Sequence, residues 1–298
     1  MFTRRTIMKT TLAAGATAVF APAGLGHAAA GLTWKHFPAG QNGFFRAPVL
    51  VSGATETVLI DGGFTLPDGK AVAAAIKATG KRLTAIYISQ SDPDYYFSLG
   101  PIKAAFPDAK VIAASATVAA IKGSVEKKLS VWGPQLKENG PQTLTDVVIP
   151  ETFDDKALTV DGETVEIVDA EGLPNRRYLF VPSINAVFGG VMIFNGVHVW
   201  TADTNSAELR AAWVANLEKI AARKPAVVVA GHMAPDAKTD LSGVEHTIAY
   251  LKAFEEELAK AKDAAALKAT MEARFPGLGM GVALDIGSKV ATGEMKWG

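Results

Sequence analysis

Short apolar runs, each cut off by a turn and followed by a stretch of helical composition, recur from residue 49 onward. Val49-Leu50-Val51 and Thr57-Val58-Leu59-Ile60 read as strands split by Ser52-Gly53, and Asp61-Gly62-Gly63 ends the second one sharply. Residues 71–79 have helical composition, with Gly80 placed to cap the C-terminus. Leu83-Thr84-Ala85-Ile86-Tyr87-Ile88-Ser89 reads as a buried strand. Residues 99–105 follow as a short helix, 110–113 as a strand and 115–128 as a helix. Residues 147–168 hold two or three short strands with a turn at Asp161-Gly162. Strands over 178–181 and 186–188 flank the Pro182-Ser183 turn.

The later part changes character. Over residues 206–223, Leu209, Ala212, Trp213, Asn216, Leu217 and Ile220 fall at helical spacing, with Asn216 the one polar member of the stripe. Residues 226–230 form a strand that runs into Gly231-His232, and residues 244–262 and 263–274 are helical. No repeat, low-complexity run or linker interrupts this order. It suits one α/β (α+β) sandwich better than two domains.

Composition then closes off several classes of function. Lys+Arg and Asp+Glu are equal at 30 each, so no basic surplus points to nucleic acid. The chain has no cysteine, which removes disulfides, thiol nucleophiles and thiolate metal sites. Any metal must be held by Asp, Glu or one of His27, His36, His198, His232 and His246.

Residues 1–30 read as an export signal. Thr3-Arg4-Arg5-Thr6-Ile7-Met8-Lys9 resembles the twin-arginine consensus; an apolar stretch over 10–23 follows, and His27-Ala28-Ala29-Ala30 supplies small residues for cleavage. The apolar stretch is short of the roughly 20 residues a spanning helix needs, and no later segment could span. The expected product is a periplasmic domain over residues 31–298. Cleavage would remove Arg4, Arg5, Lys9 and no acid, leaving 27 bases against 30 acids and a net charge of −3.

The segment Ile88-Ser89-Gln90-Ser91-Asp92-Pro93-Asp94-Tyr95, on the loop after a strand, resembles the His-x-His-x-Asp-His signature of the metallo-β-lactamase superfamily. Val58-Leu59-Ile60-Asp61-Gly62-Gly63 is similar to that family's early strand-Asp-Thr-Gly element. Val227-Val228-Val229-Ala230-Gly231-His232 is similar to its late strand-Gly-His element, and residues 194–200 resemble a segment of one branch. The resemblance implies an αββα four-layer sandwich with the site at one edge of the two sheets.

The same resemblance places the family's metal ligands on Gln90, Asp92, Asp94, Tyr95, Gly172, Val191 and His232, of which only Asp94 and His232 match. Zinc takes imidazole, thiolate and carboxylate, so a dinuclear zinc site is not expected. The cofactor expectation is none, or one weakly bound divalent metal held by Asp92, Asp94 and His232.

Each candidate has a plainer reading beside the functional one. Asp94 and Asp92 could serve catalysis or only turn chemistry. His232 could line the pocket or be a hydrogen-bonded loop histidine. His198 and Trp200, alternating along an extended segment, could form a pocket wall with Gln90 and Tyr95 or be edge packing. His36 and His246 read as surface or core, Asp61 as tightening a turn under the site, and Arg176-Arg177 as solvated charge or an anion clamp. Two functions stay open: hydrolysis of an ester, lactone or amide with Asp94 or His232 as base, or binding of a small molecule or partner in the old pocket. Substrate, metal and oligomer are not set by the sequence.

Overall fold

The computed structural model describes residues 31–297; the expected export signal lies outside them. The chain opens with β1 (Thr33–His36), β2 (Val49–Ser52) and β3 (Glu56–Ile60), an antiparallel meander. Helix α1 (Leu66–Ala78) carries the chain across to β4 (Arg82–Ile88), parallel to β3. Then come α2 (Leu99–Ala105), β5 (Lys110–Ala113), α3 (Ser115–Leu136) and the two-residue strand β6 (Glu151–Thr152). These strands form one six-stranded sheet in the order β1-β2-β3-β4-β5-β6. β4, flanked on both sides by parallel partners, has Ile86, Tyr87 and Ile88 wholly buried, as the apolar run over its last four residues requires.

The second sheet begins with β7 (Ala157–Val160) and β8 (Glu163–Asp169), joined by the Asp161-Gly162 turn, where both residues have positive φ as a type I′ hairpin demands. β9 (Arg177–Val181) and β10 (Ala186–Phe188) follow, then the short β11 (Phe194–Asn195), α4 (Ala207–Ala222), β12 (Val227–Val229) and β13 (His232–Met233). The second sheet runs β12-β10-β9-β8-β7, and β11 pairs with β13 separately. Helices α5 (Ser242–Leu258), α6 (Ala264–Arg274) and α7 (Gly281–Ala291) complete the chain. A continuous buried core runs through both sheets and the helices on them, giving the mixed α/β sandwich expected. Among the described residues no helix is long and apolar enough to cross a membrane.

Several boundaries differ from the sequence reading for local reasons. Helix α1 starts at Leu66 because Thr65 caps it, its hydroxyl accepting from the Asp68 N–H at 3.2 Å, with Pro67 in the first turn. Helix α3 runs to Leu136, past Lys128, with Pro134 in its final turn. Asn216, the polar member of the α4 stripe, is buried because its amide pairs with the backbone N–H and C=O of Glu171 at 3.0 and 2.8 Å. β1 and α7 are not evident in the sequence. β1 is a half-exposed edge strand, and α7 carries Gly287, whose missing side chain lets the helix lie against Thr201.

The candidate site forms where the carboxyl ends of β3, β4, β10 and β12 converge, the position at which α/β sheets commonly bind ligands. The close approach is made by glycine: a Cβ on Gly231 would lie 1.7 Å from the carbonyl oxygen of Gly190.

Candidate active site

Asp61 follows β3 in a left-handed conformation, φ 61°. This turn aims its carboxylate at the end of β4, where Oδ1 accepts from the Ser89 N–H at 2.7 Å and Oδ2 from the Ser89 hydroxyl at 2.8 Å. It also reaches Arg46, a residue the sequence reading passed over. The Arg46 side chain is wholly buried. Its Nη2 donates to Asp61 Oδ2 at 3.1 Å and its Nη1 to the Gly231 carbonyl at 2.6 Å. Its Nε lies 3.8 Å from Asp94 Oδ2, and the guanidinium stacks 3.6 Å from the centre of the Tyr95 ring. The signal was available: an arginine in Phe44-Phe45-Arg46-Ala47-Pro48-Val49 sits in an apolar run, where a charge must find a buried partner.

His232 stands on the other side of Asp94. Its Nδ1 is 2.7 Å from the Phe44 carbonyl, which can only accept, so Nδ1 carries the proton and Nε2 a lone pair. That Nε2 faces Asp94 Oδ2 at 3.5 Å and the Tyr95 hydroxyl at 3.4 Å, while the imidazole lies flat on Phe194, centroids 4.9 Å apart. Burial, with the Arg46 charge acting the same way, pushes the His232 pKa well below its ordinary value and keeps the ring neutral. Burial pushes Asp94 up to about 7, opposed by Arg46 and reinforced by Asp92. Burial also raises Asp61, while Arg46 and the Ser89 donors pull it back.

Asp94, Tyr95 and His232 are therefore brought together, with Asp61 tightening the turn beneath them. Asp92 is turned outward onto Lys128, Oδ1 to Nζ 3.2 Å, and Gln90 folds its side-chain oxygen back onto the Ser91 N–H at 2.6 Å. His198 and Trp200 make their hydrogen-bond and ring contacts elsewhere: His198 Nδ1 with the Tyr250 hydroxyl at 3.0 Å, Trp200 with Trp297 at 5.0 Å between centroids. His246 is half-buried against the Val197 carbonyl. Arg176 and Arg177 are not solvated charges; both are buried. Arg177 Nη1 bridges the Thr117 hydroxyl at 2.6 Å and the Ser89 carbonyl at 3.2 Å. Arg176 pairs with Asp203 at 2.6 Å, stacks on Trp213, and points Nη1 at the Val191 carbonyl at 3.5 Å.

The family model of the metallo-β-lactamase superfamily matches residues 42–232, which span Arg46, Asp61, Asp94, Tyr95 and His232. The chain belongs to the metallo-β-lactamase superfamily. A metallo-β-lactamase family protein from Thermus thermophilus is similar at 17% identity and TM-score 0.59, over 89% of this chain and 93% of that one. A metallo-β-lactamase from Pontibacter korlensis aligns at 18% identity and TM-score 0.48, over 70% and 87% of the two chains. No curated protein matches the chain.

The donor set does not fit the metals that superfamily members usually bind. The Arg46 guanidinium already lies against Asp61 and Asp94, and a divalent ion placed there would face a buried positive charge a few ångströms away. Gly172 and Val191 bring no donor, and Asp92, expected beside Asp94 and His232, faces Lys128 instead. Among the described residues no three His, Asp or Glu side chains are grouped to hold an ion.

Proposed function

We propose that the protein is an exported superfamily member that works without metal and binds a small molecule rather than hydrolysing one. The observation that carries this reading is Arg46, buried among Asp61, Asp94, Tyr95 and the Gly231 carbonyl. In a metal-dependent relative, a dication would activate water beside such carboxylates. Here a fixed monocation already faces both carboxylates and offers no open coordination position. Burial keeps bulk water from the same group, since Arg46, Tyr95, Asp94 and His232 are each less than one-tenth exposed.

A second reading is favoured by one pair of groups. His232 Nε2 carries a lone pair 3.5 Å from a carboxyl whose pKa is raised to about 7, so Asp94 and His232 have the opposed protonation needed for acid–base work on an ester, lactone or amide.

The experiment that separates the two combines elemental analysis with turnover. The purified protein should carry well under one equivalent of zinc, and chelation should leave its melting temperature unchanged, because a ligand bound only to the folded state would stabilise it by mass action. Wild type and His232→Ala should show equal, near-background rates on esters, lactones and a β-lactam. A robust rate lost in His232→Ala would establish the hydrolase reading, and two bound metals would overturn both.

A further inference from the structure

A concavity is lined by the loop that carries Phe44, the residue whose carbonyl accepts from His232. It has a volume of about 880 Å³, within the range of small-molecule sites. None of the seven positions aligned with the family's metal ligands lines it, so it is distinct from the Asp94–His232 pair. Its walls come from the loop before β2, the start of α1, the end of α3 and the start of α7.

Three aromatic rings form one wall. Phe44 and Phe64 are 4.8 Å apart, and the Trp132 indole meets both edge-on at 5.3 and 5.4 Å. Phe64 is held from behind by stacking on Phe97 at 6.1 Å. Phe64 is buried, so the half-buried Phe44 and Trp132 are the rings a planar ligand would meet, and ring faces attract cations.

The backbone around this cavity is unusual. Phe44, Phe45 and Met280, all lining it, have positive φ of 53°, 55° and 63°. Bulky residues adopt this conformation at an energetic cost, and it persists only where the surroundings fix it. Here they do. The Phe44 carbonyl accepts from His232 Nδ1 at 2.7 Å and the Phe45 carbonyl from the Met233 N–H at 2.8 Å. The Phe45 ring is pressed on Gly279, where a Cβ would come within 2.6 Å of it. The wall is therefore preformed, which lowers the ordering cost of binding.

The charge of the lining decides the ligand. Of the residues around the cavity, Asp68 alone is ionisable; the other polar side chains are the neutral Gln41, Asn42, Thr65, Gln135 and Asn139. A carboxylate entering the cavity would meet no cationic side chain and would face the Asp68 carboxylate.

We propose that this cavity is a binding site for a planar aromatic small molecule that is neutral or cationic, and that it excludes carboxylates. That selection runs against β-lactams, which carry a carboxylate. The proposal holds whether or not the Asp94–His232 pair hydrolyses anything, because its test reads binding and not turnover.

The test is calorimetric titration of the full chain with three probes of one shape: 1-naphthylmethylammonium, 1-naphthylmethanol and 1-naphthoate. The ammonium should bind at least about tenfold more tightly than the naphthoate. Asp68→Asn should bring the ammonium down to the affinity of the alcohol and leave the alcohol unchanged. Asparagine keeps the oxygen that accepts from the Thr65 hydroxyl at 2.6 Å, so the α1 cap survives. Gln135→Lys, at an exposed position, should raise naphthoate affinity. Naphthoate binding as tightly as the ammonium to wild type, an ammonium preference that survives Asp68→Asn, or no heat from any probe at millimolar concentration would each overturn the proposal.

Discussion

Arg46 is the residue on which the site turns. Removing one partner of a buried ion pair leaves an uncompensated charge, which typically costs about 3–5 kcal/mol. Arg46→Met should destabilise the protein by about that much in urea unfolding, because Asp61 and Asp94 would lose their cation and remain buried. A loss under about 1 kcal/mol would mean that solvent or neighbouring donors already satisfy the carboxylates. Asp94 makes a second measurable contribution. Its pKa rises from 3.8 in the unfolded chain to about 7 when folded, so over that interval the folded state binds more protons than the unfolded state. Stability must then fall as pH rises through the interval. Asp94→Asn should remove that part of the slope. Equal slopes in the two proteins would show that Asp94 is ionised throughout.

These residues also show what the sequence could reveal about the site. Asp94 and His232 are legible because they stand where the resemblance to the superfamily's signature and strand-Gly-His elements places its Asp and last His. Arg46 is legible as a buried charge, but its partners are 15 and 48 positions away, and only folding shows which carboxylates they are. Asp92 and Asp94 look equivalent in the sequence. The short helical turn at Pro93–Tyr95 sends one outward to Lys128 and the other inward to Arg46. His198 and Trp200 could equally have faced the site or packed at an edge, because extended periodicity gives a shared face without saying which face it is.

At the scale of elements, the glycines separate what is packed from what is merely tolerated. Gly231 joins the ends of β10 and β12, where a Cβ would lie 1.7 Å from the Gly190 oxygen. Gly231→Ala should cost about 3 kcal/mol or more, the upper range of overpacking, and should displace His232 beside it. Gly123 is the opposite case: it lies within α3, exposed, and a Cβ added there would meet nothing within 4 Å. Gly123→Ala should stabilise by about 0.5–1 kcal/mol in thermal or urea unfolding. If both substitutions had similar effects, the packing described between the strand ends would be wrong. The strands with strong apolar runs, β3, β4 and β10, could be read directly. The two-residue strands β11 and β13 could not, since two residues have no periodicity to detect.

For the whole molecule, the apolar–turn–helix order was enough to indicate one mixed α/β sandwich, because few arrangements bury that many strands and helices around a continuous core. Which residues cross between the sheets was not legible: Arg177 ties β9 to the end of β4 and to α3 through contacts 60 and 88 positions away. The export proposal belongs at this scale too. Replacing Arg4 and Arg5 together by lysine should block transport, and the transported protein should begin near Gly31. Full periplasmic levels of the double variant, or a mature protein that retains residue 1, would dismiss it.

A positive charge built into a side chain differs in kind from one that must be captured. Arg46 has no dissociation constant with respect to its own site: the guanidinium is delivered when the chain folds, and it leaves only when the chain unfolds. On the metal-free reading proposed above, the centre has no apo form, needs no loading step, and holds the same charge in a chelating medium as in one rich in zinc. It also cannot exchange one ion for another. A centre of that kind gives up the variation in chemistry that a loosely held metal allows, and gains a charge state that is inherited with the sequence.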